Sequence, residues 1–382
     1  MLASLSSPLH AAESPQRRVM RKVVGVIVTY LLPLVLVVLT TMFLLSGMGA
    51  IDRSRIMTDM ASIDPFWIIA SIITGLLAHV SRAIRWQYLL RPNGVAIRLG
   101  PAFNSVMIGY AANALVPRSG EVARPLVLAQ RTGLAPETAI GSVVVERVLD
   151  VLSLLGALLL VMTYGQSELT TTLLRLQGSA PSTFAAADAR SMLLSLVTLL
   201  AVLMALIVLV LFTRWGESII SMTLGRLHTR SADALVGILH RLRKGLDAVR
   251  QPRLLVHIGF HTILIWALYT VTTWLTLIAM PYGTLSQASL SGALLLLVIL
   301  AVAVTIAPTP GAIGVYHVAG QVAVVSLFGA TAYEGFIFAM ASWIANQGVA
   351  LAVGGIAWIV VMRSGVRVRL FSQSQHQEED KS

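Results

Sequence analysis

The chain has 382 residues, is 56% hydrophobic and only 12% charged, and carries a formal net charge of +11. With a mean hydropathy of +0.81, that balance excludes an ordinary soluble domain and places the chain among all-α polytopic membrane proteins. The basic residues flank apolar stretches, as orientation signals do, so no nucleic-acid partner is expected; the absence of cysteine excludes disulfides and thiolate metal sites.

In chain order, a cytoplasmic tail (1–22) ends in Arg17, Arg18, Arg21 and Lys22 and leads into an apolar run over 23–46. That run exceeds the apolar region of a signal peptide and is long enough to span, so it reads as an uncleaved first helix, followed by an outer loop to residue 65. Further full spans are expected at 66–90, 138–163, 191–213, 254–281 and 335–362, making six in all. Two more apolar stretches, 100–131 and 287–329, are each broken in the middle by proline and glycine. The segment 164–253 supplies an outer loop, a connecting span and a basic stretch (214–253) in which eight Arg/Lys face three acids with apolar residues interleaved. That stretch reads as a cytoplasmic amphipathic segment on anionic headgroups or as a positively charged connector. Residues 363–382 form a polar cytoplasmic tail.

The arginine clusters at Arg82–Arg98, Arg214–Arg253 and Arg363–Arg369 belong on the cytoplasmic side. Each broken stretch then enters and leaves on one side, as a re-entrant or spanning hairpin. The unit 66–163 and the unit 254–362 both read as span, broken hairpin, span, in opposite orientations. This is the pattern of an inverted repeat whose two breaks meet near the membrane middle.

The charged residues inside these apolar stretches carry the chemistry. Around the first break stand Asn113, Pro117, Arg118, Gly120, Glu121 and Arg124. The i,i+3 spacing lets Glu121 face both arginines. Two guanidinium forks beside free helix N–H groups suit a phosphate, and the same residues also suit a self-neutralising ion network. Glu146, Arg147 and Asp150 lie two to three turns into the following helix, as a proton relay or as a latch for Arg118 and Arg124. Arg82, Arg85 and Trp86 fit snorkelling and an aromatic belt, with Arg85 a candidate headgroup contact. The second break carries Pro310, Gly311, Gly314 and His317, of which His317 is placed to titrate near neutral pH. No metal-ligand spacing, phosphate-binding loop or nucleophile elbow is present, and no cofactor is expected.

Taken together and in order, Arg82-x-x-Arg85-Trp86, Asn113-x-x-x-Pro117-x-x-Gly120-Glu121-x-x-Arg124, Glu146-Arg147-x-x-Asp150 and Pro310-Gly311-x-x-Gly314 resemble a known family. It is the flippase-like integral membrane proteins related to the transmembrane region of lysylphosphatidylglycerol synthase, and the resemblance covers most of 66–362. It implies translocation between leaflets of an aminoacylated phospholipid or of a polyprenyl- or glycolipid-type substrate. Many relatives have Gly-Gly after the proline and a Glu where this chain has His317; here Ala312 follows Gly311. Ending at residue 382, the chain is not expected to carry an aminoacyl-transferring domain or to act as an enzyme. The expected role is a lipid flippase of a bacterial inner membrane with both termini cytoplasmic, its partner a lipid with an anionic headgroup. The alternative is a scaffold for a separate lipid synthase, or more remotely an intramembrane lipid-modifying enzyme; a homo-oligomer is left open.

Overall fold

The computed structural model describes residues 50–94, 96–164 and 251–363, with isolated positions at 42, 191, 195, 198, 201, 202, 205, 206 and 248. Among these residues every regular element is helical. The expected spans at 23–46 and 191–213 lie almost wholly outside the described residues, as do the N-terminal tail, the polar tail and nearly all of the basic stretch 214–253.

The first surprise is α1 (Ala50–Ala61), a helix where an outer loop is expected. Its Asp59 accepts hydrogen bonds from the hydroxyls of Tyr282 (3.0 Å) and Tyr333 (2.9 Å). Burial and then the bond to Asp59 hold the Tyr282 phenol well above its ordinary range. Next, α2 (Pro65–Leu90) starts where the Asp64 carboxylate accepts from the Phe66 N–H, with Pro65 in the first turn where its missing N–H costs nothing. A broken pair follows: α3 (Leu99–Leu115) and α4 (Gly120–Thr132). Then comes α5 (Pro136–Tyr164).

The second half repeats that order. It has a long helix α6 (Pro252–Ile278), a single turn at Gly283–Ser286, and a second broken pair, α7 (Leu290–Ile306) and α8 (Val315–Phe328). It closes with α9 (Ala332–Trp343), a π-helical bulge at Ile344–Gly348 and α10 (Val349–Arg363). The last expected span is therefore one helical run with a bulge inside it. A π-bulge widens one turn by a residue and is frequent at functional sites.

The helices that head the two halves, α2 and α6, lie along one another. Asp64 N–H bonds to the Ala279 carbonyl, Ser71 bonds to Thr272 and Thr276, and Ser81 bonds to His261. Residue numbers rise on one helix as they fall on the other, so the pair is antiparallel. Small and hydroxyl side chains let the two backbones approach and pair without water. The halves also interlock, α3 against α10 and α5 against α7. One apolar core gathers Leu277, Leu296, Val324, Ile337 and Phe338 at one end of the α2–α6 pair. A second gathers Trp86, Leu89, Val106, Leu128 and Ile258 at the other.

Among the described residues, four helical stretches are long and apolar enough to cross a membrane: Pro65–Leu90, Pro252–Ile278, Pro310–Phe328 and Ala332–Arg363. The outward face of α2 carries Phe66, Ile69, Ile73 and Leu77, all more than half exposed and one helical turn apart. An exposed apolar stripe of that length suits contact with lipid.

Two glycines set how closely helices meet. A Cβ at Gly120 would run into the Gly109 carbonyl, and one at Gly354 would run into the Met107 carbonyl. Gly120→Ala should therefore cost about 1–3 kcal/mol by overpacking the α3–α4 contact. Gly100→Ala, with no neighbour within 4 Å, should leave the melting temperature in detergent unchanged or slightly raised; equal melting of the two variants would refute this packing account.

Candidate functional site

Helical spacing places Arg82 and Arg85 on one face of α2, and Glu146 and Asp150 on one face of α5. Packing of α2, α4 and α5 turns these faces toward each other. Glu146 forms ion pairs with Arg82 (3.2 Å) and Arg85 (3.3 Å) and accepts hydrogen bonds from Arg147 (3.4 Å) and from both terminal nitrogens of Arg124 (3.2 and 2.9 Å). Asp150 accepts from Arg85 (2.8 Å) and Arg82 (3.4 Å) and forms an ion pair with Arg147 (3.4 Å). The Arg124 guanidinium also lies over the Trp86 ring, 5.2 Å from its centroid, and Trp86 donates to the Ser142 hydroxyl at 2.8 Å.

Four guanidiniums against two carboxylates leave the network with a formal charge of +2. The Arg85 and Glu146 side chains are 0% exposed, whereas Arg147 is 40% exposed. The Nε atoms of Arg82, Arg85, Arg124 and Arg147 are buried and have no hydrogen-bond partner among the described residues. Buried, uncompensated cation is costly, so an anion reaching this cluster would gain both charge and hydrogen-bond complementarity.

The two breaks lie close by. Arg118 occupies the left-handed region (φ 62) and donates from Nη2 to the Thr305 carbonyl at 2.8 Å, tying the first break to the last turn of α7. A cation on a helix C-terminus is favourable. The Asn113 Oδ1 accepts from the Gly120 N–H at 2.7 Å and so satisfies the start of α4. In the second break Gly311 and Ala312 are both left-handed (φ 59), and Trp343 Nε1 donates to the Gly311 carbonyl at 3.0 Å. Non-glycine residues hold such a conformation at a cost of roughly 1–3 kcal/mol, met by surrounding contacts.

A cavity of about 640 Å³ opens between the network and the breaks. Of the residues expected at the site, Asn113, Arg118, Glu121, Arg124, Arg147, Asp150 and Gly311 line it. Arg85 and Glu146 stand behind its wall: Glu146 holds the lining arginines, and Arg85 pairs with Glu146 and Asp150. Gly314 and His317 do not line it: the His317 ring accepts from the Gly314 N–H at 3.4 Å and sits 5.6 Å from the Trp343 ring, buried at the start of α8.

Two expectations are corrected. Glu121 does not bridge Arg118 and Arg124: Arg124 is taken by Glu146 and Arg118 by Thr305, and the Glu121 carboxylate makes no ion pair among the described residues. The packing of α4 on α5 outweighs local i,i+3 spacing. Nor do Arg82, Arg85 and Trp86 snorkel to a membrane surface, since all three are buried and joined to the network. Arg82 therefore belongs to the cavity wall, and the sequence carried a signal for it: paired cations on one apolar helix and paired carboxylates on another are matched sets. His79, Tyr110 and Tyr269 also line the cavity; nothing in their spacing set them apart.

The family described as lysylphosphatidylglycerol synthase TM region matches residues 22–354. Among curated proteins, the glycosyltransferase AglD of Haloferax volcanii is 24% identical over 320 residues, 80% of this chain and 50% of that protein. A UPF0104 membrane protein of Methanocaldococcus jannaschii is 27% identical over 133 residues, 34% of this chain and 40% of its own length. The chain thus spans about half or less of the curated relatives it matches. No solved structure matches.

Removing Glu146 would strip the network of its central acceptor. Glu146→Ala should destabilise the protein by about 3–5 kcal/mol, read as a lower melting temperature and poor recovery in mild detergent. Arg147→Ala, at the exposed rim, should fold normally; a well-folded Glu146→Ala would show that the network does not hold the helices together.

Proposed function

The chain belongs to the lysylphosphatidylglycerol synthase transmembrane-region family, and on that premise we propose that it moves an anionic lipid headgroup between membrane leaflets. The observation that carries the reading is the +2 arginine network facing a cavity between two broken helix pairs. Arg82, Arg124 and Arg147 bind the headgroup phosphate. Glu146 and Asp150 hold those guanidiniums in place. Arg118 couples the two breaks, and the unpaired Glu121 carboxylate faces the bound headgroup and helps it leave. The acyl or prenyl chains stay in the lipid while the headgroup crosses. Substrates of this chemistry are anionic or aminoacylated phospholipids and polyprenyl-phosphate-type lipids.

The antiparallel α2–α6 pair and the recurrence of helix, broken pair, helix support an inverted repeat, the architecture that lets one half rock against the other around a fixed site. The full count is six spans with two broken hairpins, both termini on the cytoplasmic side of a bacterial inner membrane, as the basic clusters favour. A second reading is favoured by one observation, that the Haloferax relative is a glycosyltransferase by name. In it the chain is the membrane portion serving a separate lipid-linked synthase or glycosyl-transferring protein.

Leaflet exchange in proteoliposomes separates the readings. Wild type should exchange at least one of lysyl-phosphatidylglycerol, phosphatidylglycerol and a polyprenyl phosphate. Arg147→Ala should lower that rate by about tenfold or more, the loss of one charge-assisted contact of about 1.5–3 kcal/mol, and Glu121→Gln should lower it too. Folded wild type that exchanges none of them would favour the scaffold reading.

A further inference from the structure

The cavity is closed toward the two ends of the α2–α6 pair in different ways. At one end the arginine network joins α2, α4 and α5 through Glu146 and Asp150, and parting those helices would strand buried charge. At the other, Leu300, Ala312 and Tyr316 belong both to the cavity lining and to the apolar core that holds Leu277, Leu296, Val324, Ile337 and Phe338. That core is a plug of uncharged side chains between the cavity and the membrane surface at the Ile278 end of α6. Of the two closures it is the cheaper to part.

Helix α1 lies across this plug. Ile56 and Met60, with Ile63 just beyond the helix, pack on it, while Met57 is 80% exposed. In a bilayer such apolar packing holds a helix only weakly, because lipid chains offer the same contacts when it lifts off. What pins α1 is polar. The buried Asp59 carboxylate accepts at Oδ2 from the hydroxyls of both Tyr282 (3.0 Å) and Tyr333 (2.9 Å), and its Oδ1 faces Arg55 at 3.8 Å. Tyr282 stands past the end of α6 and Tyr333 in the first turn of α9, so one carboxylate oxygen joins two walls of the plug. The Asp64 N–H already fixes the start of α2 to the Ala279 carbonyl at this end, and the Tyr333 bond extends that tie to α9. Helix α9 runs on into the bulge that brings Ala345 and Asn346 to the cavity, so a shift of its first turn is felt there.

We propose that α1 is the clip of a gate: Asp59, by holding Tyr282 and Tyr333 together, keeps the plug closed, and its release opens the cavity to the side of the membrane on which α1 lies. Removing a phenol leaves the buried carboxylate with an acceptor unfilled. Only the docked position carries that penalty, so the released one gains. The device is independent of the lipid carried.

The chain has no cysteine, so a single Ala301→Cys in the cavity wall reports access. Its rate of labelling by a membrane-impermeant maleimide is followed in proteoliposomes. Met57→Cys, on the exposed face of α1, gives the fraction of copies whose α1 side meets the reagent. Tyr282→Phe combined with Tyr333→Phe should raise the rate by about tenfold or more, and Tyr333→Phe alone should raise it less, since each lost bond to a charged acceptor favours the open state. Ser142→Ala, which takes the acceptor from Trp86 at the network end, controls for lost stability alone and should leave the rate at the wild-type value. Melting temperatures show which variants are folded. An unchanged rate in any folded tyrosine variant, or an equal rise in Ser142→Ala, overturns the clip.

Discussion

Charge that cannot reach water must be matched by charge, and that constraint organises this protein. Glu146 sits where three helices converge, fully buried, and four arginines reach it. Any one of them alone would be expensive at that depth. Together with Asp150 they form a set that fixes α2, α4 and α5 relative to one another and still keeps more cation than anion. The same arrangement that stabilises the fold therefore leaves it incomplete electrostatically, and the incompleteness faces the cavity.

The breaks in the helices follow from that demand. A continuous helix satisfies its own backbone and offers nothing to a solute, whereas a broken one exposes N–H and C=O groups that must find partners. Here they find them across the two halves or in nearby side chains: Arg118 on the Thr305 carbonyl, Asn113 on the Gly120 N–H and Trp343 on the Gly311 carbonyl. The left-handed residues Arg118 and Ala312 are held in place by this cross-bracing. The wall of the cavity is thus made from backbone as well as side chains, and both halves contribute to it.

The breaks and the long helices were legible in the sequence because their causes are local. Pro117 with Gly120, and Pro308 and Pro310 with Gly311, interrupt apolar runs whatever surrounds them. The charged motifs were legible as a set, since three charges within an apolar helix ask for company. Their pairing was not: Arg124 and Glu121 share a helix turn, yet only the packing of α4 on α5 decides that Arg124 turns to Glu146. Arg85 and Trp86 looked like surface anchors for the same reason, as burial depends on which helices cover them. The docking of α1 left no mark in the sequence, because its Asp59 is held by Tyr282 and Tyr333, far away in the chain.

The bulge at Ile344–Gly348 carries one further implication, which concerns counting rather than chemistry. A π turn holds one residue more than an α turn, so the bulge absorbs a residue that in an unbroken helix would turn everything after it by about 100° around the axis. Gly354, beyond the bulge, meets the Met107 carbonyl in that register. Straightening 344–348 with the same number of residues would turn Gly354 off α3 and bring Val353 into a gap sized for hydrogen, whereas losing one residue together with the bulge would leave Gly354 in place. The bulge thus widens the turn that carries Asn346 to the cavity while keeping the facing of α10.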